Sequence, residues 1–360
     1  MSRDSIDADN DEVGLLIPEV ASGHESLPVD RCLQIYRLMV RTRTLEERMI
    51  KMSKSGQGYF WVGGPGEEAF NTCLGLQVKK GQGPHYDYLH LHYRSAATLV
   101  AMGMPLIEPI RQMAMTATDS HSLGRNFISH YSKRAWNVLP VTSVIEIQYT
   151  MAPGTALMQK RVSSDSLSIV TGGDAGTAEG DFASCMVWSS RPGNELPVLM
   201  VVANNGWGIS TAACTQHGEL NIVDRGRPFG IPGEVVDGND PIACWHAIAR
   251  AMAYVRSERR PYLLEAHVSR LFGHSSSSGA LRVKNEPDCV ALFERRLRDA
   301  GALDPAMAEQ VREEALAEVD AAVAQALTEP QPTPADVHRF TYAPSGVDAV
   351  YPADYTGLPQ

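Results

Sequence analysis

Two hydrophobic patterns divide the chain. In its first part apolar residues recur at helical spacing, and this periodicity predicts helices over residues 30–54, 67–79 and 95–118. After residue 157, short apolar runs alternate with glycine turns and helical segments. The predicted strands cover residues 166–170, 197–203 and 262–268, and the helices between them cover residues 178–190 and 242–257. Strands that are apolar throughout are typical of a parallel sheet with helices on both faces, so the predicted fold class is α/β.

The chain is expected to form one large domain with an extension at each end. Residues 1–27 carry little apolar periodicity, which indicates a mobile N-terminal arm. Residues 28–328 hold the periodic segments and end with a charged amphipathic helix over residues 305–327. Residues 329–360 are rich in proline and lack periodicity, which indicates an extended tail that contacts a partner.

Composition narrows the class of protein. Lysine and arginine number 32 against 42 acidic residues, and the net charge of −10 argues against a nucleic-acid partner. No apolar run reaches the roughly 20 residues that span a bilayer, and the acidic N-terminus is unlike a secretory signal. The six cysteines are scattered without a C-x-x-C pair, as is typical of free thiols in a reducing cytoplasm. We therefore expect a cytoplasmic enzyme or enzyme subunit with no membrane partner.

The most informative segment is SIVTGGDAGTAEGDFASC, followed by PVLMVVANNGWGIST. Asp174 follows a predicted strand, and Asn205 follows the next strand along the chain. Because ligands bind beyond the carboxyl ends of parallel strands, both side chains should face one crevice. Their oxygens suit magnesium, and the free N–H groups of the glycine turn and the following helix suit phosphate. The segment therefore predicts a site for a diphosphate-bearing cofactor with a divalent cation.

Other interpretations of these residues are weaker. A Rossmann dinucleotide site needs G-x-G-x-x-G and an acid at the end of a later strand, and GGDAGTAEG does not provide them. A structural glycine turn and a chance Asn pair would explain either half alone, but not both at this spacing. His85, His90 and His92 suggest zinc, yet no acid or cysteine lies at ligand spacing.

At these residues the chain resembles a known family. GGDAG and the Asn pair are similar to the thiamine-diphosphate signature, Gly-Asp-Gly followed by Asn-Asn. The motifs AEGDF, NNGWGIST, DGNDP and SRLFGHSS resemble the alpha subunit of the 2-oxoacid dehydrogenase decarboxylase component, over residues 30–300. The resemblance is nearer to the branched-chain type than to the pyruvate type. It implies the thiamine-diphosphate-binding fold, in which helices flank a parallel sheet.

The resemblance implies how the cofactor is held. Magnesium is expected to bind Asp174, the Asn205 side chain and the main-chain carbonyl of Trp207. The diphosphate is expected to contact the turn around Asp174, which comprises Gly173, Ala175 and Gly176.

A Tyr-Arg pair grips the diphosphate in family members, and here it is Tyr93 and Arg94. The planar fork of arginine matches phosphate oxygens. Ser143 and Ile145 are expected to flank the aminopyrimidine ring. Thr142 and Gln148 lie where some members bind potassium.

Two histidines are the candidate catalytic residues. His274, in LFGHSSSSG, matches the active-site histidine at the start of a mobile loop, and it also contacts the cofactor in the family. Histidine can exchange protons near neutral pH. His130 aligns with a second active-site histidine, although a lone histidine is more often structural and both interpretations stay open.

The chain departs from the family pattern in three places. Ala175 replaces the third motif glycine, and a glycine is displaced to Gly176. Ala203 stands where branched-chain members have an arginine that contacts phosphate. The loop after His274 reads SSSSGALR, which keeps Arg282 but lacks the usual Asp pair and tyrosine.

The resemblance implies an alpha2-beta2 heterotetramer with the cofactor at the alpha–beta interface. The activity it implies is oxidative decarboxylation of a small-molecule 2-oxo acid, with transfer of the acyl group to a lipoyl acyltransferase. A branched-chain substrate is favoured and pyruvate comes next. The alternatives are a related thiamine-diphosphate activity, such as that of acetoin dehydrogenase, and a non-catalytic subunit with the same fold.

Overall fold

The structure is a computed structural model that describes residues 18–339, with backbone only for residues 337–339. Its strands, in chain order, are β1 (Glu19–Ser22), β2 (Glu25–Pro28), β3 (Tyr88–His90), β4 (Ser168–Gly173), β5 (Val198–Asn204), β6 (Trp207–Gly208), β7 (Thr211–Ala212), β8 (Gly233–Asp237) and β9 (Tyr262–His267). Its helices are α1 (Val29–Ser55), α2 (Glu68–Gln77), α3 (Ala96–Ala101), α4 (Ile107–Met113), α5 (Ile147–Arg161), α6 (Gly180–Ser189), α7 (Pro241–Glu258), α8 (Cys289–Asp299), α9 (Pro305–Ala326) and α10 (Pro334–Arg339).

A five-stranded parallel sheet forms the centre, in the order β3-β4-β5-β9-β8. Side chains of β5 alternate between two cores: Leu199 and Val201 pack with α1, α2 and α7. Val198, Met200 and Val202 pack with α5 and α6 on the other face. Both faces of the sheet are thus covered by helices, which confirms the predicted α/β class.

Most predicted elements are present. The helix predicted over residues 30–54 is α1, and Asp240 accepts hydrogen bonds from Ile242 N and Ala243 N at the start of α7. The single helix predicted over residues 95–118 is wrong, because Gly103 at φ +99° and Pro105 separate α3 from α4. Among residues 18–339, no helix is both long and apolar enough to cross a membrane.

The two ends of the described chain contact the domain. β1 and β2 form an antiparallel hairpin that buries Val20 and Leu27 in the core with α1, so residues 19–27 pack against the domain instead of forming a mobile arm. Residues 1–17 of the predicted arm lie outside the described residues. At the other end Glu329 forms an ion pair with Arg111. Of the predicted extended tail, Pro334–Arg339 is helical and residues 340–360 lie outside the described residues.

Candidate active site

A cavity of about 590 Å³ opens at the carboxyl edge of the sheet, beside the ends of β4 and β5. This volume is in the usual range for sites that bind a small molecule or a cofactor. Its lining includes every residue that the sequence predicts for the site: Tyr93, Arg94, His130, Ser143, Ile145, Gly173, Asp174, Ala175, Gly176, Asn205, Trp207 and His274.

Asp174 lies directly after β4 and is 1% exposed. Its Oδ2 atom is buried and has no hydrogen-bond partner among residues 18–339. Burial raises the pKa of this carboxyl, against the opposing effect of backbone N–H groups that include Ala175. A buried carboxylate oxygen without a donor is costly in the bare protein and fits a cation bound in the cavity.

The two asparagines after β5 have different surroundings. Asn204 donates from Nδ2 to Oε1 of the buried Glu265 at 2.8 Å and accepts from Gly206 N at 3.0 Å, so it anchors the turn. Asn205 faces the cavity, and its Oδ1 accepts one hydrogen bond from Trp207 N at 3.1 Å. A carboxamide oxygen can accept twice, so Asn205 Oδ1 keeps one position for a cation.

The glycine turn at Asp174 is shaped by a residue that the sequence did not single out. Glu146 is buried, and a side chain at Gly172 or Gly176 would overlap its carboxyl group. Contact with Glu146 therefore leaves no room for a side chain at Gly176, which also lines the cavity. Gly173 N donates to Glu146 Oε1 at 3.2 Å, and burial raises the pKa of Glu146 to about 8.

Arg94 is buried, and three of its N–H groups already face acceptors of this chain. Nη1 donates to Gly63 O, Nη2 donates to His274 Nδ1 at 3.2 Å, and Nε lies 3.8 Å from Glu67 Oε1. The ring of Tyr93 meets that of His274 edge-on, with 6.1 Å between centroids. Arg94 therefore orients His274 and the loop at Gly63 in addition to facing the cavity.

The hydrogen bond from Arg94 assigns the tautomer of His274. Because arginine has no acceptor, Nδ1 of His274 is unprotonated and Nε2 carries the proton. Burial, with added repulsion from Arg94 and Arg270, lowers the pKa of His274 to about 4. In the bare protein His274 is thus a neutral hydrogen-bond donor at neutral pH.

His130 and Ser143 form a second pair. Nδ1 of His130 donates to Ile128 O at 3.2 Å, and Nε2 accepts from Ser143 Oγ at 2.6 Å. Burial lowers the pKa of His130, which favours the neutral ring. The pair thus fixes the hydroxyl of Ser143 at the cavity wall.

One end of the cavity is apolar. Phe60 and Phe127 meet edge to face at 5.0 Å, Phe127 meets the His130 ring at 4.5 Å, and Val62 lines the same wall. The sequence did not mark these residues, because they lie in two loops about 65 positions apart, and neither loop carries a motif. The polar end, with Asp174, and this apolar end share one space.

The structure does not favour the zinc site considered for the three histidines, and it describes the contacts of the predicted potassium position. His90 bonds Thr155 through Nε2 at 2.8 Å, and residues 18–339 hold no group of three or more histidine, cysteine or acidic side chains that could bind a metal. At the predicted potassium position, Gln148 Nε2 donates to Thr171 O at 3.1 Å, and Thr142 Oγ1 accepts from Val144 N at 3.1 Å. All six cysteines are free, as predicted.

A parallel α/β sheet whose strand ends open into one cavity, with an acid and an amide side by side, is the arrangement of an enzyme subunit that binds a cofactor. The family model described as the dehydrogenase E1 component matches residues 36–335. The chain belongs to this family, whose members depend on thiamine diphosphate.

Three relatives illustrate the similarity. The 2-oxoisovalerate dehydrogenase subunit alpha of Bacillus subtilis is 26% identical over 330 residues, which cover 89% of this chain and 98% of that protein. The mitochondrial 2-oxoisovalerate dehydrogenase subunit alpha 2 of Arabidopsis thaliana is 30% identical over 253 residues, 70% of this chain and 52% of that protein. The 3-methyl-2-oxobutanoate dehydrogenase subunit alpha of Mycobacterium tuberculosis is 25% identical over 296 residues, 80% of this chain and 76% of that protein.

Proposed function

We propose that this chain is the alpha subunit of a thiamine-diphosphate-dependent 2-oxoacid dehydrogenase that acts on a branched-chain 2-oxo acid. The observation that carries the proposal is one cavity that has a polar end at Asp174 and Asn205 and an aromatic apolar end at Phe60 and Phe127. The names of the relatives support it, since the three described above are alpha subunits of dehydrogenases of branched 2-oxo acids. Pyruvate is the next candidate substrate.

The residues of the polar end fit the cofactor. Asp174, with its unpartnered Oδ2, would hold Mg²⁺ together with Asn205 Oδ1 and the carbonyl of Trp207. Tyr93, Arg94 and the backbone at Gly173–Gly176 would contact the diphosphate, and Ser143 and Ile145 would contact the aminopyrimidine. When bound, thiamine diphosphate supplies the electron sink that lets carbon dioxide leave a 2-oxo acid.

The protein's own groups position the substrate and control protons. His274 presents Nε2–H to the cavity as a neutral donor, suited to an oxygen that gains negative charge. The hydrogen bond from Ser143 Oγ to His130 Nε2 fixes the orientation of the Ser143 hydroxyl. In both histidines Nδ1 forms a hydrogen bond with this chain: with Arg94 Nη2 in His274, and with Ile128 O in His130. A bond at one ring nitrogen selects the tautomer that the other nitrogen presents.

The apolar end suits the side chain of the substrate. Phe60, Val62 and Phe127 offer no charge to an acyl chain, so a dicarboxylic 2-oxo acid would leave its second carboxylate without a partner there. A branched aliphatic chain would bury its methyl groups against the two rings.

The proposal includes a beta subunit and a lipoyl acyltransferase as partners, in a cytoplasmic complex. Val144 and Ile145 lie beside the cavity residue Ser143 and are 60% and 45% exposed. Apolar side chains exposed next to a cofactor site are typical of a surface that another subunit covers. Potassium at Thr142 and Gln148 stays a prediction, because Gln148 bonds to Thr171 O through Nε2 and not through its carbonyl oxygen.

Assay of the assembled alpha–beta pair against a panel of 2-oxo acids tests the proposal. We expect branched aliphatic substrates to give the highest kcat/KM, with release of carbon dioxide that requires thiamine diphosphate. Cleavage of acetoin in preference to every 2-oxo acid would contradict the proposed substrate class and favour the acetoin-type activity. Failure to bind thiamine diphosphate at all would favour a non-catalytic subunit.

A further inference from the structure

Arg270 is a buried cation to which nothing so far assigns a function. It follows β9 and is 9% exposed. Nη1 donates to Ile209 O at 2.9 Å, and the guanidinium lies 5.8 Å from the ring centroid of Trp207. Both neighbours line the cavity, and Arg270 lies against them without being part of the lining. Its Nε is buried without a hydrogen-bond partner within the described part of the chain.

No carboxylate of residues 18–339 forms an ion pair with Arg270 within 4.0 Å. Burial, followed by repulsion from Arg94, lowers the pKa of Arg270 from its ordinary value, and the weaker attraction of Asp174 and Glu286 opposes this effect. A buried charge without a counterion is unfavourable, so proteins normally supply one. Here the position of the guanidinium, beside two cavity residues, indicates that the counterion comes from outside this chain.

An anion bound at the polar end of the cavity would find the guanidinium of Arg94 largely occupied by groups of this chain. Arg94 has donors directed at Gly63, His274 and Glu67, which limits what it can offer to an incoming anion. Ala203, the residue before the asparagine pair, lines the cavity without contributing a charge. Arg270 acts electrostatically on both Arg94 and His274, so it belongs to the same charged surroundings.

We propose that Arg270 is an anion-binding residue of this cavity, whose ligand is a phosphate or carboxylate group. The inference rests on the proposed function, because the cofactor diphosphate and the carboxylate of the 2-oxo acid are the two anions that function would bring here. The diphosphate is the one we expect, since Trp207 and Asp174 both lie at the polar end.

The test uses the assembled alpha–beta protein after removal of cofactor. Arg270→Met keeps much of the apolar stem but removes the charge, and Arg270→Lys keeps the charge without the planar fork. Arg259→Met is the matched control, because Arg259 also lacks an ion pair among the described residues and donates to Ser166 O, at the opposite edge of the sheet. Calorimetry gives the Kd for inorganic diphosphate and for thiamine diphosphate, each with magnesium.

We expect Arg270→Met to raise both Kd values about 10- to 100-fold, the range for a charge-assisted hydrogen bond, and Arg270→Lys to raise them less. Arg259→Met should leave them unchanged. The thermal midpoint of the cofactor-free Arg270→Met protein should change little, because relief of a buried charge without an ion pair offsets loss of the hydrogen bond to Ile209 O. If the KM for the 2-oxo acid rises while both Kd values hold, the carboxylate is the anion and Arg270 is still an anion-binding residue.

Two results would overturn the inference. Unchanged affinity for diphosphates together with unchanged KM would show that no ligand uses Arg270. Weaker association of the alpha and beta chains, with those constants unchanged, would show that a carboxylate of the partner is the counterion. Because inorganic diphosphate binds without any turnover, loss of this inference is distinguishable from failure of the proposed activity.

Discussion

Replacement of Phe127 by alanine tests the assignment of the apolar end. Phe127 stands between Phe60 and His130, at 5.0 and 4.5 Å between ring centroids. The side chain of 4-methyl-2-oxopentanoate has three carbons more than that of pyruvate. At about 0.8 kcal/mol for each buried carbon, full burial is worth about 2.4 kcal/mol, or a preference of about 60-fold in kcat/KM.

Phe127 is one of the two aromatic rings of this wall, so we expect Phe127→Ala to remove about half of that energy. A loss of about 1.2 kcal/mol lowers the preference for 4-methyl-2-oxopentanoate over pyruvate about 7-fold. The assay measures kcat/KM for both substrates with the assembled alpha–beta pair. Tyr59→Ala is the control, because Tyr59 neighbours Phe60 in sequence but is exposed and lies outside the cavity lining. An equal loss for both substrates, with the preference unchanged, would refute the assignment.

Three further predictions concern charge, catalysis and assembly. Burial raises the pKa of Glu46 to about 7, so stability should fall as pH rises from about 4.5 to 7. Glu46→Gln, which can still accept from Trp61, should remove about 2 kcal/mol of the stability difference between pH 5.5 and pH 8 in thermal unfolding. His274→Ala should lower turnover about 10²- to 10⁴-fold with cofactor affinity within a few-fold, and near-normal single-turnover rates would exclude a catalytic role. The purified chain should be inactive until a beta subunit is added, and turnover by the chain alone would contradict this.

Much of the fold could be predicted because its central strands are fully buried. β4 and β5 are buried on both faces, and Asp240 with Pro241 marks the start of α7. β3 and α5 could not be predicted in the same way. β3 is a three-residue edge strand, and α5 contains Pro153 and buries polar Gln148 and Gln159, so neither shows a clear hydrophobic period.

The candidate site, like the fold, could be predicted only in part. Asp174 and Asn205 could be placed together because each follows a strand, and parallel strands bring their carboxyl ends to one edge. Phe127 and Glu146 could not, since they reach the cavity from a loop and a helix end whose relative positions depend on tertiary packing. Arg270 contacts the lining residues Ile209 and Trp207, and these contacts depend on tertiary packing in the same way. The signal available in the sequence was only their type: an aromatic, an acid and an arginine close to motif residues.

Magnesium-dependent binding of thiamine diphosphate to Asp174→Asn tests the central claim most directly. The variant removes the charge of the buried carboxyl whose Oδ2 has no partner in the described chain, at nearly constant shape. Asp181→Asn, in the first turn of α6 and outside the cavity lining, is the matched control. In the assembled alpha–beta protein, calorimetry should show at least a 100-fold loss of affinity for Asp174→Asn, with an unchanged thermal midpoint of the cofactor-free protein, and no loss for the control. Wild-type affinity in Asp174→Asn would contradict the metal site and with it the proposed cofactor position.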